Sequence, residues 1–394
     1  MSYRQAPIFI STGCVSADRV TIPLIRELRA RGIDSPIRGL VGPMLAAEGV
    51  ESLADLTELS SIGPFGSWGA ALRHLGTVTR GYRSASACFS RERPRLAILV
   101  DNPGQNIPLL QMARRFRVPS LYYVTPQDVW AARMGVGTGA ARTVASLAQS
   151  IANVFEFEPP FFQRHGAHAE WVGHPLIDIL RSTPRPELRG RTIGLFPGSR
   201  HQEVRDLLPI LRRTAEALAR RDEATRFVIS SATEQLHRIL TKATSEWNAP
   251  VAVYNREPYR VLSQSDLLIA CSGTATLEAA ILGLPMVVIY RVHHPIDRAL
   301  RPLFVRSPFF AMPNVLAGRQ VVPELIGHRA NPEQLVREAS ALLGDTPARR
   351  RMLIDLEATR QRLGPGGAIR RTADLAQRLL EPAAEATVLS AAPS

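Results

Sequence analysis

Apolar positions along the chain fall into short continuous runs separated by stretches of helical periodicity, and most runs stop at a glycine, proline or polar turn. Residues 8–10, closed by Ser11-Thr12-Gly13, lead into an amphipathic stretch over 17–31, which predicts strand, glycine turn and helix. A second strand is expected over 37–41, ended by Gly42-Pro43. Residues 96–100 are apolar throughout, as in a parallel strand covered on both faces, and stop at Asp101-Asn102-Pro103. Further strands are expected over 120–124 and around 153–155. Between 173 and 186 the pattern loosens into proline, serine and arginine, which reads as an interdomain linker. The alternation resumes at Arg191, with strands over 227–230, 251–254, 267–270 and 285–289 and a helix over 204–220. A last helix over 373–380 precedes a small-residue tail, 382–394, expected to be disordered.

Strands alternating with helices imply an α/β fold of doubly wound, mostly parallel sheets whose ligands sit beyond the carboxyl ends of the strands. Asp101 is expected there. A chain of 394 residues exceeds one ordinary core, so two such domains are expected, over 1–185 and 186–365, with a C-terminal helix and tail over 366–394.

Composition narrows the class. Hydrophobic residues at 45% and charged residues at 21% are those of a soluble globular protein, and no apolar run reaches the roughly 18 to 20 residues that span a bilayer. The N-terminus enters its first strand without the apolar stretch of a signal peptide, so a cytoplasmic protein is expected. Cys14, Cys88 and Cys271 are scattered and odd in number, suggesting neither a disulfide framework nor a zinc site. His74 and the pair His293-His294 have no metal-ligand spacing with other residues and read as surface or structural.

The net charge of +13 comes from arginine, Lys242 being the sole lysine. Such an excess attracts nucleic acid, an acidic membrane surface or phosphorylated substrates, or else solvates an arginine-biased surface. With no zinc-finger spacing, aromatic RNA-binding motif or dense basic run, no nucleic-acid partner is expected. Within 62–83, Phe65, Trp68, Leu72, Leu75 and Val78 recur at helical spacing with Arg73, Arg80 and Arg83 among them. This pattern suits a helix on an anionic membrane surface, and equally an ordinary core-facing helix.

Two turns carry candidate chemistry. Pro197-Gly198-Ser199-Arg200 follows an apolar run and precedes an amphipathic helix. Backbone N–H groups at such a helix start favour an anion, and the arginine fork pairs with phosphate oxygens; a plain strand-to-helix turn is the alternative. Cys271-Ser272-Gly273-Thr274-Ala275-Thr276-Leu277-Glu278 repeats the arrangement with three hydroxyls. Together the two turns make a pyrophosphate cradle plausible. Glu278 could accept from ribose hydroxyls or could simply complement the helix dipole.

At this point the residues carry a resemblance. FPGSRHQEV at 196–204, CSGTATLEAAILGLPMVVIYRV at 271–292 and MPNVLAGRQVVPEL at 312–325 resemble lipid-A-disaccharide synthases. So do the segments at 42–63, 124–133 and 155–178, so that nearly the whole chain is covered in order. The resemblance implies a GT-B glycosyltransferase, two Rossmann-like domains facing a cleft. It also implies the reaction: transfer of 2,3-diacylglucosamine from UDP to the 6-hydroxyl of 2,3-diacylglucosamine 1-phosphate, with inversion, a β-1,6 disaccharide and UDP as products. On this resemblance Gly198, Ser199, Arg200, Ser272, Gly273, Thr274 and Thr276 hold the diphosphate, and Glu278 and Asn314 place the nucleoside. No cofactor or metal is expected, because fixed dipoles and arginine stabilise the leaving diphosphate. Asp101 matches the first acid of the family's D-A-P-D-F-N motif and is the candidate general base. Asp18, Phe65, Trp68, Arg73, Trp130 and Arg133 are the candidates for acceptor and lipid. The implied partners are the UDP-activated acyl-glucosamine, a phosphorylated lipid acceptor and an anionic membrane surface, with peripheral attachment to the inner membrane and room for a homodimer.

The sequence also departs from the family pattern. The first loop, A-G-E-x-S-G-D in the family, has Cys14 in place of the glutamate while keeping Asp18. The D-A-P-D-F-N motif has Gly104 for its second acid, and S-P-S-V-W-A-W-R is one residue longer here with Ala132 for the second tryptophan. A transferase acting on another lipid, and a non-catalytic paralogue that binds nucleotide or lipid, therefore stand beside the first reading.

Overall fold

The computed structural model describes residues 6–57, 68–126, 139–186, 191–291 and 309–381. The described residues divide into two compact units: one contains those within 6–126, 139–175 and 367–381, the other those within 176–366.

Among the described residues the first unit holds seven strands, β1 (Ile8–Thr12), β2 (Ile37–Leu40), β3 (Glu51–Ala54), β4 (Leu96–Val100), β5 (Ser120–Tyr123), β6 (Ser150–Asn153) and β7 (His168–Trp171). They form one parallel sheet in the order β3-β2-β1-β4-β5-β6-β7. Every residue of β1 and β4 is buried, as continuous apolar runs covered by helices on both faces require. Helices α1 (Val15–Ala30), α2 (Trp68–Ala87) and α3 (Pro103–Arg115) follow β1, β3 and β4. The chain steps outward from β1 to β3 and returns on the other side of β1 as β4, so the strand order reverses between β1 and β4. Open α/β sheets bind ligands beyond such a reversal.

The second unit repeats the plan. Strands β8 (Thr192–Phe196), β9 (Arg226–Ser231), β10 (Val251–Asn255), β11 (Leu267–Cys271), β12 (Met286–Tyr290) and β13 (Glu324–Ile326) pair in parallel in the order β10-β9-β8-β11-β12-β13. The reversal falls between β8 and β11. Helix α4 (His201–Arg221) follows β8, α5 (Thr274–Leu282) follows β11, and α6 (Met312–Ala317) precedes β13.

The last helix, α7 (Ala368–Leu380), returns to the first unit. Arg371 donates to the Val172 carbonyl at 2.6 and 2.8 Å, and Arg31 of α1 pairs with Asp374 at 2.6 Å. Thr372, Ala373, Leu375 and Ala376 form its buried face.

Three elements differ from expectation. The sixth strand ends at Asn153 instead of running on to 155, because the N–H groups of Val154 and Phe155 turn onto the Glu158 carboxylate at 3.1 and 3.0 Å. The stretch read as a loose linker contains a helix, Pro175–Ile179, and a further turn, Leu180–Ser182, since proline at a first helical position is no obstacle. Strands β3 and β7 have too few apolar residues to announce themselves, and their pairing partners select them. The tail over 382–394 lies outside the described residues.

Candidate functional site

In the second unit, register places Leu195 beside Ile269 and Phe196 beside Ala270, so the turns that follow β8 and β11 emerge side by side at the strand reversal. Sequence spacing alone could not pair segments about seventy residues apart; the parallel sheet does.

The two turns are not equivalent. Gly198 holds φ at +113°, and a Cβ there would fall 2.4 Å from Glu203 Oε2, so only glycine fits. The Glu203 carboxylate lies under the turn and accepts from the N–H groups of Ser199 at 3.0 Å and Arg200 at 3.2 Å. This is half of a capping box; the reciprocal half needs an acceptor at the N-cap, which arginine lacks. Two of the backbone donors that the turn could offer to an anion, those of Ser199 and Arg200, are therefore already engaged inside the protein. What the first turn extends outward is the Arg200 guanidinium, 41% exposed and 3.5 Å from Glu203 Oε1.

The second turn opens outward. Gly273 and Thr274 are exposed at the N-terminus of α5, and a Cβ on Gly273 would meet nothing within 4 Å. Of the three hydroxyls, Ser272 donates to the Phe310 carbonyl at 2.9 Å and Thr276 to Gly273 O at 2.8 Å, leaving Thr274 as the outward one. Cys271 ends β11 with its thiol pushed up to about 12 by burial and by the Glu203 carboxylate, against the pull of Arg200. It stays a neutral thiol.

Glu278 is buried one turn into α5 and accepts from the Tyr259 hydroxyl at 3.3 Å. Asn314 is fully buried and uses its whole amide internally: Oδ1 accepts from Val321 and Val322 N–H at 2.6 and 2.8 Å, and Nδ2 donates to Val322 O and Glu324 Oε1 at 2.9 and 2.7 Å. Glu324 also accepts from the N–H groups of Phe310 and Ala311. Asn314 thus braces the segment that receives Ser272, and nothing of its side chain is left to reach a nucleoside. Neither Glu203 nor Glu324 was singled out from sequence, although both lie inside the matched motifs.

In the first unit, the loops after β1 and β4 meet at the other reversal. A Cβ on Gly13 would fall 2.1 Å from Asn102 Nδ2, so the close approach of the two loops needs glycine. Asp101 and Asn102 both have left-handed backbones, φ 55° and 33°, a strain of about 1–3 kcal/mol each that the surroundings must hold. They do so through the Asp101 carbonyl, which accepts from Tyr122 Oη at 2.5 Å and Asn106 Nδ2 at 2.8 Å, and through Asp101 N–H, which donates to Tyr123 O at 2.9 Å. Strain of this kind at the carboxyl end of a strand makes the position a candidate for function. Burial pushes the Asp101 carboxyl above the ordinary aspartate value, against a backbone hydrogen bond from Asn102.

Cys14 stands beside Asp101. Burial and then the Asp101 charge push its thiol up, and its Sγ lies 3.0 Å from Ser16 Oγ. Asp18 is 1% exposed and faces inward, accepting from Thr12 Oγ1 at 2.5 Å and Gly42 N–H at 3.3 Å; burial raises its pKa too. It ties the loops after β1 and β2 together. Gly104 is exposed, and a Cβ there would sit 3.6 Å from Asn102 Oδ1, an ordinary contact. A buried pair that the sequence did not reveal joins Thr125 Oγ1 to Glu158 Oε1 at 2.6 Å, beside Val124 with φ 60°, an outlier for a β-branched residue.

Of the lipid candidates, Phe65, Trp130 and Arg133 lie outside the described residues, and for Trp68 and Arg73 only the α2 backbone is described. Farther along α2, Gly81 packs against Ala54, Leu40 and Leu56 while Leu75 is 57% exposed, so the stripe does not face the core along its whole length. Among the described residues no helix is long and apolar enough to cross a membrane, and no three His, Cys, Asp or Glu side chains cluster as metal ligands.

The family model described as lipid-A-disaccharide synthetase matches residues 8–375. A lipid-A-disaccharide synthase of Geobacter sulfurreducens is 33% identical over 382 residues, covering 95% of this chain and 97% of that protein. One from Nitrosococcus oceani is 32% identical over 387 residues, covering 96% and 97%. Among solved structures, the UDP co-structure of Staphylococcus aureus MnaA superposes with a TM-score of 0.64 at 13% identity, covering 95% of this chain and 96% of that one. Acinetobacter baumannii MurG gives 0.56 at 15%, covering 94% and 99%. The structural likenesses establish the GT-B type of fold, and with the sequence relationship they make this chain a member of the lipid-A-disaccharide synthase family, a glycosyltransferase of lipid A biosynthesis.

Proposed function

We propose that the chain transfers 2,3-diacylglucosamine from UDP to the 6-hydroxyl of 2,3-diacylglucosamine 1-phosphate, with the donor held by the second unit and the acceptor activated in the first. The observation that carries this reading is the pair of turns at the β8/β11 reversal, a guanidinium on one and an open helix N-terminus on the other. The MnaA structure with UDP and a Neisseria meningitidis epimerase bound to UDP-GlcNAc support a UDP-sugar as the ligand of such a site.

In this mechanism Arg200, Gly273, Thr274 and the N-terminus of α5 bind the donor diphosphate. Gly198 and Ser199 shape the turn, while Ser272, Thr276 and Asn314 hold the surrounding backbone. Glu278 serves the nucleoside from its buried position. Asp101 accepts the proton of the acceptor 6-hydroxyl as the oxygen attacks the anomeric carbon from the face opposite the diphosphate. The configuration inverts, and UDP leaves with its growing charge met by the guanidinium and the helix dipole. These residues leave no step that requires a metal or cofactor. Asp18 fixes the acceptor loop from beneath.

Lipid substrates call for contact with an anionic inner-membrane surface from the cytoplasmic side. The exposed Leu75 and Arg80 on α2 and the net charge of +13 support a peripheral mode, in which Phe65, Trp68, Arg73, Trp130 and Arg133 are the lipid-facing candidates. A homodimer is compatible with this reading.

The test is product analysis with UDP-2,3-diacylglucosamine and its 1-phosphate acceptor. A β-1,6 disaccharide and equimolar UDP are expected; no disaccharide at saturating substrates defeats the reading. Cys14 and Gly104, which replace two family acids, favour one second reading, a transferase on another lipid acceptor. UDP release dependent on a different lipid, and absent with the first, would establish it.

A further inference from the structure

The carboxylate beneath the first turn has a role that the proposed reaction leaves unassigned. Glu203 makes three contacts with the segment just before α4: two backbone N–H groups at 3.0 and 3.2 Å through Oε2, and the Arg200 guanidinium at 3.5 Å through Oε1. Its side chain is 15% exposed, and Gly198 leaves the space that it occupies. A negative charge seated on the donors of a turn excludes a second anion from the same donors. The other oxygen of the same carboxylate lies against the one positive group the turn projects.

We propose that Glu203 is a positioning residue of the donor site: it takes the Ser199 and Arg200 N–H groups and aims the Arg200 guanidinium, so that this guanidinium, and not those two N–H groups, meets the diphosphate. The proposal rests on the UDP-donor reading above. It assigns two separable jobs to one carboxylate. Capping needs an acceptor oxygen, which glutamine also has; aiming a guanidinium needs the charge, which glutamine lacks.

The experiment is calorimetric titration of the full-length chain with UDP, alongside thermal unfolding, for the wild type, Arg200→Ala, Glu203→Ala, Glu203→Gln and the double variant Arg200→Ala/Glu203→Ala. Arg200→Ala and Glu203→Ala should each weaken UDP binding about tenfold, as loss of a charged phosphate contact does. The double variant should lie within about twofold of Arg200→Ala, because residues acting through one another are not additive. Glu203→Gln should recover the unfolding midpoint lost in Glu203→Ala while UDP affinity stays reduced. Additive losses in the double variant, wild-type affinity in Glu203→Ala, or full recovery of affinity in Glu203→Gln would each overturn the proposal. If the wild-type chain itself binds no UDP, the donor reading fails, which is a different result from wild-type binding that ignores Glu203.

Discussion

Replacing Asp101 by asparagine separates chemistry from architecture at the proposed acceptor site. The residue sits at φ 55°, a region that asparagine and aspartate share, and its backbone is held by Tyr122, Tyr123 and Asn106 through carbonyl and N–H groups that the substitution leaves alone. Asp101→Asn therefore keeps the loop and removes the proposed base. A positioned general base contributes about 10²- to 10⁴-fold, so kcat should fall by that factor, which is roughly 3–5 kcal/mol of barrier. UDP affinity should not change. Stability should hold or rise at neutral pH: burial raises the Asp101 pKa above the ordinary 3.8, so this group's contribution to stability is full below 3.8 and is lost as pH rises through the folded value. The amide escapes that loss. The wild-type acid limb of kcat/KM against pH should accordingly lie above the ordinary aspartate range and be absent from the variant's residual rate. Mass-spectrometric quantification of disaccharide, UDP calorimetry and thermal unfolding read the three quantities. Activity within about threefold of wild type would remove Asp101 as the base, well short of the 10²-fold minimum expected. A sharply lowered unfolding midpoint would show that the carboxylate was structural.

Gly198→Ala should cost about 2–4 kcal/mol, from a left-handed alanine plus a disturbed cap, and lower the unfolding midpoint by several degrees; an unchanged midpoint would refute the packing of Glu203 against this turn. Gly104→Asp should leave stability within about 0.5 kcal/mol because its Cβ meets only an ordinary contact, and a large loss by denaturant titration would contradict that geometry. Cys14→Glu should move the acid limb of the pH–rate profile upward, since a second carboxylate beside Asp101 disfavours its charged form; a downward shift would mean the two groups do not face each other. Cys271, its thiol pushed up to about 12 and buried, should resist alkylation in the native chain at pH 8 and react on unfolding, as peptide mapping after iodoacetamide would reveal.

The parallel strands were legible because they are buried on both faces: Ile8–Ile10 and Leu96–Val100 are continuous apolar runs with no exposed residue. Strand β3, half exposed at a sheet edge, carries no such signal and exists because β2 offers it partners. The same distinction runs through the site. Asp101, Arg200 and the Ser272 turn follow the ends of β4, β8 and β11, as the apolar runs before them predict. What sequence could not give is which polar groups remain for a ligand after the fold has taken its share. Glu203 takes the Ser199 and Arg200 N–H groups, Phe310 takes the Ser272 hydroxyl, and the Val321, Val322 and Glu324 contacts take the Asn314 amide. A buried donor without an acceptor costs about 1–3 kcal/mol, so internal partners claim such groups wherever they can reach them. On the proposed donor reading, Ser272, Asn314 and Glu203 build the backbone around the nucleotide, while Arg200, Thr274 and the open end of α5 are left to touch it. Truncation to alanine in the first set should therefore change stability and affinity together, and truncation in the second should change affinity alone.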